Sequence, residues 1–507
     1  MMELKMNLLP FFVTVPLAAA FFIPIIGKRM KVVPKAISIV STLFLSMLGG
    51  YTAYLATAEK ILIYNVGGWP APVGISMVVD GFSAFILVIV NTIASLVAVY
   101  SAGYIGKYTD TWKFFTLFML MVAGMNGVLI AGDLFNLYVC LEIAAIAAYS
   151  LVAFGVKAEE LEAAFKYAVM GAVGSSFMLL GLALLYGYTS TLNMAQMASV
   201  IAAKGTSKII PMVSALFLMG FGLKAALVPF HAWLPDAHSS APAPISAMLS
   251  GLLIKVLGIY VLSRVFFNVF GMNAQLSAIL ITLAVVSMVM ASILAFGQYD
   301  IKRLLAYSSI SQMGYIALGL GVCTPLSIMG AIFHLFNHSI FKTLLFLNAG
   351  AVEDIAGTRD LMRMPGILAR SPVTGCTNLI GSMSICGIPP LGGFWSKLII
   401  IFACIQADRP VLSFIAIAVS IMTLGYYFKA VTPILFGSKE PRLISDSGAV
   451  RRLPALMAIP MIILAILSIF TVLVLLPNMG RIFLDNAAAV LIKGKEYAAL
   501  AASGAMR

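Results

Sequence analysis

Apolar residues run along this chain in blocks of about 20, the length a helix needs to cross the hydrocarbon core of a bilayer. Fourteen such blocks are present, at 7–26, 36–56, 81–103, 114–131, 133–154, 166–187, 209–230, 242–266, 273–297, 301–322, 324–349, 372–405, 410–436 and 454–477. Each predicts a membrane-spanning helix. Segment 59–80 departs from the pattern. There Gly67, Gly68, Pro70 and Pro72 separate two short β-rich runs, which predicts an extramembrane hairpin or loop. The tail 478–507 predicts a short amphipathic piece at most, and no second soluble domain.

Two spans carry their own interruptions. Residues 223–244 (LKAALVPFHAWLPDAHSSAPAP) place Pro229, Pro235, Pro242 and Pro244 in or after helix seven. Residues 382–400 (SMSICGIPPLGGFWSKLII) place Gly387, Pro389, Pro390, Gly392 and Gly393 inside helix twelve. Proline removes a backbone donor and clashes one turn back, so both helices must break. Broken helices in corresponding places suggest a transporter built from internal repeats. The breaks are about 160 residues apart. At that offset YSLVAFGV (149–156) lies over YIALGLGV (315–322), and at nearly the same offset Lys166 meets His334. Helices four to eight (114–266) and nine to thirteen (267–436) then form two five-helix units. An odd number of spans per unit inverts the second. Residues 1–113 hold helices one to three, and 437–507 hold helix fourteen and the tail.

Composition agrees. The chain is 62% hydrophobic and 10% charged, where a soluble domain carries roughly 25% charged residues. That excludes a soluble enzyme, a disordered scaffold and, despite the net charge of +13, a nucleic-acid binder. The fold class is an all-α polytopic membrane protein. The five cysteines form no CxxC pair, so no disulfide framework, zinc site or iron–sulfur site is visible. The first residues, MMELKMNLLPFF, show no clear cleavage site, so the first span is expected to be retained. Loops that follow odd-numbered helices hold seventeen Lys and Arg, against nine in the even loops and both termini. The positive-inside rule then puts the odd loops in the cytoplasm and both termini outside, in a prokaryotic plasma membrane.

The ionisable residues inside the spans are the candidate chemistry. A charge at the bilayer centre costs on the order of 3 kcal/mol even on a lenient scale. Glu142 is the one acid far inside a span, and a short side chain cannot snorkel from there. Lys224 lies five residues before Pro229. It is desolvated, and with Glu142 nearby it becomes a tunable proton donor or acceptor. Lys255 is the next station, in helix eight, and Lys397 follows the second break. His334, His338 and Lys342 recur every four residues on helix eleven and share a face. Histidine can relay protons, or it can form a hydrogen-bonded seam. Two histidines without a nearby carboxylate or cysteine do not complete a zinc site. His231 and His238 flank the first break, where they either link to cytoplasmic water or cap the break. Lys166, at the start of helix six, and Lys429 are further accessory candidates. Arg264 lies near a helix end, where it can snorkel. Asp80, Asp133 and Asp300 sit at helix starts as caps.

DLFNLYVCLEIAAIAAYSLVA, LKAALVPFHAWLPDAHSSAPAPISAMLSGLLIKVLGIY, DIKRLLAYSSISQMGYIALG, FHLFNHSIFKTLLFLNAG and IPPLGGFWSKL resemble the antiporter-like subunits shared by Mrp-type Na+/H+ antiporters, respiratory complex I and membrane-bound hydrogenases. The resemblance covers helices three to thirteen. It is strongest toward the D-type subunit of Mrp antiporters and its archaeal counterparts: there is no long lateral helix, no extra C-terminal domain, and Lys397 rather than glutamate stands at the second break. The resemblance implies that Glu142 and Lys224 are the family's ion pair, Lys255 its central lysine, and Lys397 its terminal lysine, with the helix-eleven histidines between the half-channels. It implies a proton-translocating, or Na+/H+-antiporting, subunit that is not an enzyme by itself. Its implied partners are other membrane subunits: small Mrp-like ones, another antiporter-like one, or a redox module. No P-loop, dinucleotide fingerprint or cofactor cysteines appear, so no cofactor is expected in this chain. The competing readings are a stand-alone secondary transporter for a small solute, and a membrane scaffold whose charges serve assembly.

Overall fold

All fourteen expected spans are helical in the computed structural model, which describes residues 8–108, 110–205, 207–437, 453–477, 480–494 and 496. In order they are α1 (Phe11–Gly27), α2 (Val33–Glu59), α3 (Gly81–Tyr104), α4 (Thr111–Ile130), α5 (Leu134–Val152) and α6 (Ala158–Thr189). Then come α7, in two halves (Ile209–Lys224 and Trp233–Ser240), α8 (Ala243–Val269), α9 (Ala274–Phe296), α10 (Ile301–Val322) and α11 (Pro325–Ala356). Last are α12, in two halves (Pro372–Cys386 and Gly392–Gln406), α13 (Pro410–Phe436) and α14 (Ala455–Leu475). A further helix, α15 (Arg481–Ile492), occupies the tail. Of the loop charges counted above, Lys5, Lys439, Arg442, Arg451, Arg452, Lys495, Arg507 and the side chain of Arg481 lie outside the described residues.

Among the described helices, α2 to α6, α8, α9, α13 and α14 are long and apolar enough to cross a membrane by length and composition alone. The more polar α10 and α11 are buried against neighbouring helices along most of their length. A helix enclosed by protein can carry serine, histidine and lysine that a lipid-facing helix could not.

Two boundaries differ from the expectation by about two helical turns. α6 starts at Ala158, so Lys166 lies two turns inside it. The start is fixed by Glu160, whose carboxylate accepts the Lys157 amide at 3.0 Å, with Glu159 and Glu160 in the first turn. α11 runs on to Ala356 and ends at Gly357, which takes φ 71° as a left-handed cap. Glu353 therefore belongs to a helix rather than to a loop.

Both interruptions are real, and both have their freed backbone groups met by protein. In α7 the first half ends at Lys224. The Val228 amide donates to Ser287 Oγ of α9 at 2.9 Å, and Trp233 Nε1 donates to the Leu223 carbonyl at 3.0 Å. In α12 the first half ends at Gly387 (φ 78°), and Lys397 Nζ reaches back from the second half to the Ile385 carbonyl at 2.8 Å. The first half of α12 thus ends in carbonyls faced by a lysine, the charge that the negative end of a helix dipole favours.

The helix ends on the even-loop side are covered. Residues 61–80 form the expected hairpin, with β1 (Ile61–Asn65) antiparallel to β2 (Ser76–Asp80). Asp80 then caps α3, accepting the Phe82 and Ser83 amides at 2.9 Å each, while Ser83 Oγ accepts the Asp80 amide. Asp133 caps α5 on the same side, accepting the Asn136 amide, while Asp300 caps α10 at the opposite, odd-loop side, accepting the Arg303 amide. A short helix (Met194–Lys204) and α15 lie on this face too: Asn193 Nδ2 donates to Ser76 Oγ, and Asn268 Nδ2 to the Val490 carbonyl.

Arg264 corrects the snorkelling expectation. It is 7% exposed, its Nη2 lies 2.5 Å from Asp80, and its Nε donates to Tyr260 Oη at 3.1 Å. The reason is topological: Asp80 closes the hairpin directly beside α8, so the guanidinium has a carboxylate at hand and need not seek water. Removing one member of a buried pair costs about 3–5 kcal/mol. Arg264→Ala is therefore expected to lower the thermal midpoint of the purified complex. Arg264→Ala combined with Asp80→Asn should cost less than the two separate losses added together. A midpoint unmoved by Arg264→Ala would mean the pair carries no stability.

Candidate functional site

The first element of the site joins α5, α6 and α7. Glu142 is held on the inner side of α5, and Lys224 is the last residue of the first half of α7. Lys224 Nζ lies 3.3 Å from Glu142 Oε1 and 3.2 Å from Tyr149 Oη. Ser175 of α6 donates to the same Glu142 oxygen. The lysine side chain is 2% exposed and the carboxylate 24%. The expected pair is thus formed, and Ser175 and Tyr149 are its additional partners.

α8 comes next, and its geometry explains Lys255. The helix is wholly buried and widens into π-turns at Leu249–Leu253, Lys255–Tyr260 and Arg264–Val269. Such turns loosen the regular hydrogen-bond ladder, and they are frequent at functional sites. Here Lys255 Nζ donates to the carbonyls of Ser250 (2.5 Å) and Gly251 (2.7 Å) in its own helix. No carboxylate is within ion-pair reach of it among the described residues. Gly258, one turn on, packs against the Ala225 backbone, where a Cβ would overlap it. That close approach brings α8 against the α7 break, directly after Lys224.

α11 supplies the rest of the band. His334, His338 and Lys342 are each completely buried. His334 is held at both ring nitrogens, Nδ1 2.9 Å from Ser396 Oγ of α12 and Nε2 3.1 Å from Gln312 Oε1 of α10. The His338 ring lies 6.3 Å from the His334 ring, and neither of its nitrogens has a hydrogen-bonding partner among the described residues. Lys255, Lys342 and Lys397 all lie near enough to act on it electrostatically. Lys342 donates to the Leu305 carbonyl at 2.7 Å and to Ser308 Oγ, with Tyr427 Oη at 3.3 Å.

Lys397 is 3% exposed and lies 5.2 Å from the centre of the Tyr315 ring. Beside it, between α12 and α13, a cavity of about 250 Å³ is lined by Lys397, Cys386, Ser420, Ile417 and Ile421. That cavity opens the last lysine of the band toward the outside of the subunit.

The accessory candidates divide. His238 joins the band: it is fully buried, stacked on Phe346 with ring centres 5.0 Å apart, and near Lys342 and Lys255. The other three stand apart. Lys166 pairs with Glu162 (2.8 Å) and Asp236 (3.1 Å) in a partly exposed network. Lys429 lies over the Tyr299 ring and donates to the carbonyls of Phe296 and Gln298, so it caps the end of α9. His231 is half-buried beside the break. Residues such as Ser175, Gln312 and Tyr427 give no signal in the sequence, because hydroxyls and amides are common in helices. Lys302 and Glu353 give none either, because they lie at helix ends, where charges are ordinary.

Residues 131–423 match the family described as NADH:quinone oxidoreductase/Mrp antiporter, TM, and residues 66–115 match the complex I chain 5 N-terminus. The chain is 32% identical over 437 residues to the D subunit of the Na(+)/H(+) antiporter of Alkalihalophilus pseudofirmus, covering 86% of this chain and 88% of that one. It is 36% identical over 416 residues to the N subunit of the NADH-quinone oxidoreductase of Desulforudis audaxviator, covering 80% and 83%. Among solved structures, a chain of the Mrp complex from Dietzia sp. superposes with TM-score 0.87 at 25% identity, over 98% of this chain and 99% of that one. A chain of the membrane-bound sulfane sulfur reductase, an archaeal respiratory membrane complex, superposes with TM-score 0.88 at 32% identity, over 97% and 99%.

Proposed function

The chain belongs to the NADH:quinone oxidoreductase/Mrp antiporter family of membrane subunits, and on that premise we propose that it is a proton-translocating subunit of a multi-subunit membrane complex. The observation that carries this reading is the buried band of titratable groups: Glu142 and Lys224, then Lys255, His338, His334 and Lys397, with Lys342 and His238 beside it. Burying so many ionisable groups costs several kcal/mol each, which packing alone does not repay. Protons move along it between water, amines, imidazoles and hydroxyls, through small local displacements rather than rocking of one half against the other. The two five-helix units, 114–266 and 267–436, each contribute one broken helix and one lysine beside the break.

In this reading the chain performs no redox step and needs no cofactor of its own. Any such chemistry lies in partner subunits, as it would in a respiratory complex, or is absent, as in an antiporter. The subunit sits in the plasma membrane with its odd-numbered loops in the cytoplasm and both termini outside, as the distribution of Lys and Arg supports. A stand-alone solute carrier would need polar recognition groups around its breaks. Here the α12 cavity is lined mainly by apolar side chains.

The test is to purify the native complex, identify its co-subunits and measure proton and sodium flux after reconstitution in vesicles. Proton movement coupled to the complex's activity is the expected result. Transport of an organic solute by this chain alone, without proton movement, would overturn the proposal.

A further inference from the structure

A second carboxylate–lysine pair is built like the first, at the odd-loop ends of α10 and α11. Lys302 Nζ lies 3.3 Å from Glu353 Oε2, the same separation as Lys224 from Glu142. The lysine side chain is 3% exposed and the carboxylate 32%, against 2% and 24% in the first pair. In both, a buried amine stands behind a carboxylate that reaches the edge of the protein.

What lies behind Lys302 gives the pair a direction. Its Nζ also donates to the Ala241 carbonyl at 3.1 Å. Ala241 closes the second half of α7, one turn after His238, and Ser246 Oγ ties the two together, donating to the His238 carbonyl at 2.8 Å and to the Ala241 carbonyl at 3.3 Å. His238 is completely buried, and neither ring nitrogen is hydrogen-bonded to a side chain among the described residues; the Ser246 backbone faces the ring. An imidazole not tied to a neighbouring side chain can take up and release a proton. Beyond His238 stand Lys342 and Lys255, and beyond them His338, whose two nitrogens are likewise unpartnered.

We propose that Glu353 and Lys302 form the proton-uptake gate of this subunit, passing protons from water on the odd-loop face to His238 and so to the band. The proposal rests on the proton-translocation reading above. A proton from water binds the Glu353 carboxylate and removes the anion that holds the Lys302 ammonium. Lys302 then gives a proton inward to His238, and the Glu353 proton moves to the free amine, which restores the pair. One proton from water then sits on His238, and its passage from His238 into the band completes the cycle. The charges facing Glu353 are Lys302, Arg359 (3.9 Å) and Lys107, while Arg359 is also paired with Asp300 at 3.3 Å. Arg359 holds the carboxylate in place from the solvent side. Asp354, the next residue, pairs outward with Lys107 at 2.5 Å and takes no part.

The experiment uses the whole complex in vesicles of one orientation, with the pH varied on one face at a time. Glu353→Gln is expected to slow transport at least tenfold and to displace the pH profile on the odd-loop face, leaving the profile on the opposite face unchanged. Asp354→Asn should behave as the native complex. Glu353→Asp keeps a carboxyl but withdraws it from Lys302, and should recover part of the rate with the odd-loop profile still displaced. An assembled Glu353→Gln complex with native rate and native odd-loop profile would overturn the gate. Should Glu353→Gln not assemble, a native profile in Glu353→Asp overturns it equally. The underlying reading is judged separately by Lys255→Arg: loss of transport there, with Glu353→Gln unaffected, removes only the gate.

Discussion

Glu142→Gln is expected to abolish proton translocation while the subunit still assembles. Gln is isosteric with Glu, so it keeps an acceptor for Ser175 and a contact for Lys224, whose Nζ stands 3.3 Å away. The change removes the charge and the site where a proton would bind. Lys224 is left buried without its counter-ion, and the carboxylate that could exchange a proton with it is gone. Even a barrier change of about 1.4 kcal/mol gives a tenfold loss of rate, and losing a buried partner exceeds that. Assembly should survive because the carboxylate is 24% exposed and Tyr149 Oη remains 3.2 Å from the amine. The measurement is proton flux in vesicles, with complex integrity followed by gel filtration. Native flux in an intact Glu142→Gln complex would remove this residue from the path.

What the sequence revealed follows from how conspicuous each feature is against an apolar background. Helices of this length leave a plain hydropathy signal, so the fourteen spans and the hairpin were recoverable. Pro229, Pro389 and Pro390 cannot sit inside a regular helix, so both breaks were legible as well. Glu142, Lys224, Lys255 and Lys397 stood out because a charge within an apolar run demands a reason. The hidden part is of another kind. Lys302 and Arg264 look like ordinary boundary charges, and nothing local tells a buried one from a solvated one. Burial there is decided by what packs above: Glu353 on the extension of α11 in one case, and the end of the β-hairpin in the other. The π-turns of α8 were equally hidden, since GLLIKVLGIYVL reads as a regular apolar helix. Yet those turns let Lys255 bond to its own backbone instead of to an acid.

That last feature sets up the sharpest separation between a proton path and a scaffold of buried charges. Lys255 has two carbonyl partners in its own helix and no carboxylate within ion-pair reach among the described residues. If the charge served only packing, arginine would serve as well, since it stays cationic and offers more donors. If the residue passes protons, arginine fails, because a guanidinium does not give up its proton in the working pH range. Lys255→Arg is therefore expected to assemble and to lose transport by at least about tenfold, equivalent to roughly 1.4 kcal/mol in the barrier. Lys255→Ala should lose it too, with some loss of stability from the space left in a fully buried helix. Lys429→Ala is the control: that lysine caps the end of α9 beside Tyr299, away from the band, and its removal should leave most of the flux. All three variants are compared by proton flux in vesicles holding the whole complex, beside thermal midpoints of the same preparations. Transport that tracks the thermal midpoint across the three, with Lys255→Arg active, would assign these charges to folding. Loss of transport in a thermally intact Lys255→Arg complex would assign Lys255 to the path, because a purely structural cation tolerates that exchange and a proton carrier does not.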